Sequence, residues 1–184
     1  INGERQRHMS WFEGSEPSEL EMRREIRLYL GVAHGTKKHV PRTQGLLRTL
    51  WIKARSHLVD VWPSLDMLAD VTSGGTIKGT AIKSAFRRRL LEEQGGRCCY
   101  CRRWLVNTAY AKPIDHILPR HQYPQFSIEF WNLAVACSDC NGVKTDNVWG
   151  SIPITQHLYP KAREFIDAFH PRFHRYDDHV RYVR

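Results

Sequence analysis

No apolar run in the sequence approaches the roughly 18–20 residues that cross a bilayer, which excludes a transmembrane helix. The start of the chain has no basic-then-apolar stretch followed by a small-residue cleavage site, so secretion is not expected and a cytoplasmic location is. The pair His8-Met9 reads as a junction, with Met9 as the natural start and the first ~8 residues foreign to it. No internal repeat or low-complexity tract is present, and no segment looks like a base-reading helix. Acidic residues are outnumbered: 19 against 28 Lys plus Arg, a net charge of +9 over 184 residues. That balance favours a polyanionic partner such as nucleic acid. A basic surface kept for solubility would carry the same charge. With 41% hydrophobic and 26% charged residues, the chain is globular, not disordered. Its length suits one ordinary domain, or a small catalytic domain with an appendage.

Five cysteines are present, and four form two pairs, Cys98-x-x-Cys101 and Cys137-x-x-Cys140. Without a secretory signal, disulfides are not expected. A two-residue gap lets a tight turn aim both thiolates at one ion, so two such knuckles read as a four-cysteine Zn²⁺ site. Cys99 fits no knuckle and reads as a small buried filler.

The texture of the chain changes near residue 96. Residues 1–95 read as a helical region. Ser18-x-x-Glu21 is a capping box before Met22, Ile26, Tyr29, Leu30 and Ala33. Pro41 is expected to bar an early restart. Leu47, Leu50, Trp51, Ala54 and Leu58 mark a second helix. Ser64 is expected to cap a short one, Thr72-Ser73-Gly74-Gly75 to form a loop, and residues 77–94 to form a helix with Ile82, Ala85, Phe86 and Leu90 inward. Residues 96–150 alternate apolar and polar positions and hold the residues of chemical interest. The extension at 151–184, expected to pack on the core, has a short helix near 159–169 and a histidine-rich stretch with His170, His174 and His179. Those histidines match no ligand spacing and argue only weakly for a second metal.

Between the knuckles stand the adjacent Asp115 and His116. A carboxylate beside an imidazole can hold a divalent cation and activate water next to it. Trp131 to Ala136 reads as a buried strand leading into the second knuckle. Ser138 or Asp139 is expected to cap a helix with Asn141 in its first turn. The expected order is therefore strand, long loop, strand, helix, with the second knuckle joining the last two.

The order C-x-x-C, Asp115-His116-Ile117-x-Pro119, Asn132-Leu133, C-x-x-C-Asn141 and Lys144 resembles the HNH endonucleases of the His-Me finger superfamily, in their zinc-stapled form. The resemblance covers residues 98–146. It implies an α+β fold: a ββα-metal nuclease core stapled by the four-cysteine site, with an N-terminal helical region and a short helical tail. It implies a metal-dependent hydrolase of phosphodiester bonds acting on DNA, double-stranded and with weak sequence preference. Asp115 and Asn141 would hold the catalytic Mg²⁺ or Mn²⁺, and His116 would be the general base. Asn132 would tie down the loop after the first strand and so orient His116. Lys144 would steady the helix or touch phosphate. The third family position is Asn here in place of His, which favours Mg²⁺. With an ordinary imidazole, activity should rise through about pH 6–7.

Arg102, Arg103, Lys112 and Arg120 flank the motif and are expected at the DNA backbone. Arg87-Arg88-Arg89 reads equally as a phosphate contact or a solvated helix face. The chain is also loosely similar to small bacterial HNH effectors of antiphage defence, of the Septu type, which implies antiviral defence beside an ATPase partner. Homing, restriction and phage-packaging roles fit the motif too. The N-terminal helices are expected to dock or autoinhibit, so that a fragment starting near Ala81 keeps zinc and some cleavage. The rival reading is a non-catalytic four-cysteine zinc module that binds nucleic acid or a protein partner. It leaves Asp115, His116 and Asn141 without a purpose.

Overall fold

The computed structural model describes residues 20, 24, 40–105, 112–147 and 152–181. The helix expected over 22–33, Tyr29 and the His8-Met9 junction lie outside the described residues.

Helix α1 spans Val40–His57. Pro41 does not bar this helix. It falls in the first turn, where the missing N–H has no intrahelical role. Thr43, Leu47 and Ala54 are buried on one face, with Leu50 and Trp51 partly buried beside them. Leu58, expected inside the helix, has φ of 51° and lies just past its end. Helix α2, Trp62–Asp66, starts two residues before Ser64, with Pro63 in its first turn. Strands β1 (Ala69–Thr72) and β2 (Gly75–Lys78) then form an antiparallel hairpin that turns within the loop expected at 72–75, and Ile77 and Lys78, expected in the next helix, belong to β2. Helix α3 spans Gly79–Glu93 and buries Ile82, Ala85, Phe86 and Leu90, as its spacing requires. Gly79 is the point of closest approach: a Cβ there would lie 1.5 Å from the Leu65 carbonyl oxygen of α2.

Strands β3 (Ile114–His116) and β4 (Leu133–Val135) pair antiparallel, with Asp115 opposite Ala134 and His116 opposite Leu133. Helix α4, Ser138–Lys144, follows directly. Its N-cap is Cys137, whose Sγ accepts from the Cys140 N–H, so Asn141 begins the second turn, not the first. The side chain of Gln94, at the end of α3, completes the outer edge of β4. It accepts from Val135 N at 2.7 Å and donates to Val135 O at 2.8 Å.

One buried cluster runs across residue 95. It joins Leu47, Leu65 and Phe86 of the helices to Leu118, Phe126 and Leu133 of the strand region. Polar ties reinforce it. The buried Glu129 accepts from Trp51 Nε1 at 3.0 Å and from Arg55 at 2.5 Å, and Val61 N donates to Ser127 Oγ at 3.1 Å. The expectation that α1 and α2 are dispensable to the unit after residue 95 is at odds with this packing.

The tail contributes a 3₁₀ turn, Ala162–Glu164, and one helical turn, α5, Tyr176–His179. It is anchored by Arg172, whose buried guanidinium donates to Phe130 O at 2.5 Å and lies 3.9 Å from the Phe130 ring centroid. Among the described residues no helix is long and apolar enough to cross a membrane.

Candidate active site

The two knuckles meet. The Sγ atoms of Cys98, Cys101, Cys137 and Cys140 all lie within 4.8 Å of one another, and Cys101 and Cys137 are 3.8 Å apart. A tetrahedron of thiolates about 2.3 Å from a central ion has edges of about 3.8 Å, so the four sulfurs fit zinc. Backbone N–H groups point at the sulfurs: Cys137 N donates to Cys98 Sγ at 3.2 Å and Cys140 N to Cys137 Sγ at 3.4 Å. The Cys98 thiol is brought down to about 4, first by the hydrogen bond from the Cys99 thiol and then by backbone donors. Burial pushes Cys99 well up, so it stays a thiol and a donor. Cys99 is thus fully buried, as expected of a filler, and also supports a neighbouring thiolate.

Asp115 is buried on β3, and both its oxygens are engaged. Tyr100 donates its hydroxyl to Oδ2 at 2.5 Å, and Lys144 Nζ lies 3.2 Å from Oδ1. Burial raises the Tyr100 pKa well above its ordinary value, which keeps the proton on this donor. Lys144 also donates to the His116 carbonyl oxygen at 2.8 Å. That face of α4 therefore looks onto β3. Asn141, three residues earlier, shares the face and is half-buried.

His116 is buried, its ring edge-on to Trp62 at 4.8 Å between centroids. Its Nε2 lies 2.8 Å from the Ser127 carbonyl oxygen. A carbonyl only accepts, so Nε2 carries the hydrogen and Nδ1 keeps the lone pair. Burial lowers the His116 pKa to about 4, against the opposing pull of the Ser127 carbonyl and Asp115.

Asn132, with 0% exposure, uses every hydrogen-bonding position of its amide. Its Oδ1 accepts from Leu118 N at 2.7 Å and from the Tyr159 hydroxyl at 3.1 Å. Its Nδ2 donates to the carbonyls of Leu118 and Phe126, both at 3.0 Å. This one side chain ties the end of the loop between β3 and β4 to Leu118 and Phe126 within it.

The flanking cations are placed less uniformly. Arg103 pairs with Asp139 at 2.6 Å in the open, and Arg120 pairs with Asp60. Arg102 is half-buried, 5.7 Å from the Tyr176 ring centroid. Arg87 donates to the Lys112 carbonyl oxygen at 2.9 Å. Tyr100, Ser127 and Tyr159 were missed by the sequence reading. Tyr100 carried a weak signal, since it lies within the first knuckle. The Ser127 contact is a backbone one and has none.

Among the described residues the tail histidines are not gathered into a metal-ligating group. His170 Nδ1 accepts from Arg172 N at 3.3 Å, and His174 Nδ1 accepts from His170 N at 3.1 Å. The lone pairs of these two rings are thereby spent within the protein. Among the described residues the four cysteines are the only group of three or more metal-ligating side chains.

Residues 98–147 match the family model for HNH endonuclease. Protein ea31 of Escherichia phage lambda is 32% identical over 71 residues, which are 39% of this chain and 23% of that protein. Septu protein PtuB of Bacillus thuringiensis is 32% identical over 62 residues, 34% of this chain and 24% of that protein. The chain thus spans about a quarter of the length of these relatives. No solved structure matches the chain. The matched span holds the antiparallel pair, the helix after it and the four-cysteine cluster, and residues 98–147 are an HNH endonuclease domain of α+β, ββα-metal fold.

Proposed function

We propose that the chain is a metal-dependent DNA endonuclease, with residues 96–150 as its nuclease core and the helices before it as bracing. The observation that carries this reading is the pairing on β3 of a buried carboxylate, held against a cation, with a neutral imidazole that keeps one lone pair. Cys98, Cys101, Cys137 and Cys140 hold Zn²⁺, which supplies folding free energy to a small unit and takes no part in chemistry. Asp115 and Asn141 offer hard oxygen donors, the set that Mg²⁺ or Mn²⁺ prefers. The place beside Asp115 already receives positive charge from Lys144. Such an ion, when bound there, neutralises charge on the phosphate and on the leaving oxygen.

The chain's own groups do the rest. His116 Nδ1 takes the proton from the attacking water. The imidazolium that forms keeps its Nε2–H on the Ser127 carbonyl, which partly offsets the new charge. Asn132 fixes the loop that carries Ser127. Arg102, Arg103, Lys112 and Arg120 meet backbone phosphates, which positions a duplex without reading its sequence. The match to PtuB supports a role as the nuclease of an antiphage defence system. The resemblance to Septu-type effectors supports an ATPase partner.

The test is nicking of supercoiled plasmid in Mg²⁺ or Mn²⁺ by the protein isolated with its native partners. Asp115→Ala should lose cleavage and regain part of it at high Mg²⁺, whereas His116→Ala should regain none. A complex that binds DNA yet never nicks it would return the chain to the rival reading, a zinc module.

A further inference from the structure

Two histidines of the tail, His170 and His174, are engaged in hydrogen bonds, and His170 reaches the nuclease loop. His170 has 0% exposure and stacks on Phe173 with ring centroids 4.0 Å apart. Its Nδ1 accepts from the Arg172 N–H, and an N–H can only donate. The neutral ring therefore carries its hydrogen on Nε2. That nitrogen lies 2.9 Å from the Tyr159 oxygen, so Tyr159 accepts from His170. The Tyr159 hydroxyl proton is then left for Asn132 Oδ1, 3.1 Å away. Asn132 in turn donates to the carbonyl of Phe126, the residue before Ser127. Every link has one donor and one acceptor, and the direction is set at the His170 end.

We propose that Tyr159 and His170 are positioning residues of the nuclease site: from the C-terminal extension they fix the Asn132 amide, and through it the loop whose Ser127 carbonyl holds His116. This rests on the nuclease reading given above. Without the Tyr159 hydroxyl, Oδ1 of Asn132 keeps only Leu118, and the amide gains freedom to rotate away from Phe126. The loop then holds the His116 ring less firmly. The consequence belongs to the chemical step and not to DNA binding, because neither residue reaches the surface.

The variants are chosen to keep packing. Tyr159→Phe removes only the hydroxyl. His170→Phe keeps a ring on Phe173 and removes the donor. His170→Gln returns an N–H at about the reach of Nε2. In the full chain with its native partners, Tyr159→Phe and His170→Phe should each lower kcat for plasmid nicking by roughly three- to tenfold, with KM and zinc content unchanged. His170→Gln should restore most of the rate. The double variant Tyr159→Phe/His170→Phe should be no slower than the slower single one, because a chain broken once transmits nothing. Wild-type rates in both single variants, independent losses in the double, or a His170→Gln as slow as His170→Phe would each overturn the proposal.

A second readout separates this from the nuclease reading itself. Nitrogen chemical shifts of the wild-type chain should show His170 neutral and protonated on Nε2. The Asn132 side-chain amide should exchange with solvent faster in Tyr159→Phe. If the wild-type complex never cuts DNA but these signatures hold, the nuclease reading fails and the relay stands. A His170 protonated on Nδ1, or an Asn132 amide indifferent to Tyr159→Phe, overturns the relay whatever the activity.

Discussion

Lys144 Nζ stands 3.2 Å from the Asp115 carboxylate, and the two side chains are almost wholly buried, 3% and 7% exposed. The pair ties α4 to β3 across the space where the nuclease reading needs a cation. Removing one partner of a buried ion pair strands the other charge, at a cost of about 3–5 kcal/mol. Lys144→Met should therefore lower the thermal midpoint well beyond a surface substitution. Mg²⁺ should raise that midpoint more in the variant than in the wild type, because the stranded carboxylate then gains a counter-charge. Calorimetry with and without Mg²⁺ checks both.

Elemental analysis should find close to one zinc per chain. Cys101→Ser and Cys140→Ser should lose it and fold poorly, since a structural zinc supplies on the order of 10 kcal/mol of apparent binding free energy. Cys99→Ser should keep zinc: a serine hydroxyl can still donate to the Cys98 thiolate. Zinc lost from Cys99→Ser but retained by Cys98→Ser would reverse the ligand assignment.

What the sequence revealed follows from distance along the chain. The cysteine knuckles and the Asp115-His116 step are local patterns, and their spacing carries the geometry. Asn132 was legible through the order of the motif, and its amide ties the loop as expected. Tyr159 was not, because it meets Asn132 from 27 residues away and nothing in its own neighbourhood marks it. The β1–β2 strands were not read, only a loop at 72–75 between them, because four-residue strands are too short to display a period. Pro41 was read as a barrier because a proline excluded from a helix interior is accepted in its first turn.

The pH dependence differs from that of a free imidazole. Burial lowers the pKa of His116 to about 4 and that of His170 well below its ordinary value. Between about pH 6.5 and 4 the unfolded chain binds protons that the folded chain refuses. Stability is therefore complete above about pH 6.5 and falls as pH drops, by about 3 kcal/mol from His116 alone. For the same reason His116 is already neutral at pH 6, the state the nuclease reading requires of a base. The acid limb of cleavage should lie well below the pH 6–7 of the sequence expectation, towards 4. Denaturant unfolding and initial nicking rates over pH 4–8 test the two claims separately.

A fragment starting at Ala81 should not behave as an independent nuclease. It would lose α1 and α2, strip Trp51 and Arg55 from the buried Glu129, and uncover Leu118 and Phe126. Aggregation or failure to retain zinc is the expected outcome on gel filtration. A soluble, zinc-loaded fragment that nicks DNA would show that the helices only dock or regulate.

The central claim is that His116 is a base and Asp115 its metal-holding neighbour. The most direct measurement compares wild type with His116→Ala, each isolated with its native partners, on supercoiled plasmid in Mg²⁺. Zinc content, fold and salt-dependent DNA binding should match, because His116 holds neither zinc nor phosphate. Nicking should drop by about 10²–10⁴-fold, the usual cost of losing a general base. A His116→Ala protein that cuts like wild type would contradict the account.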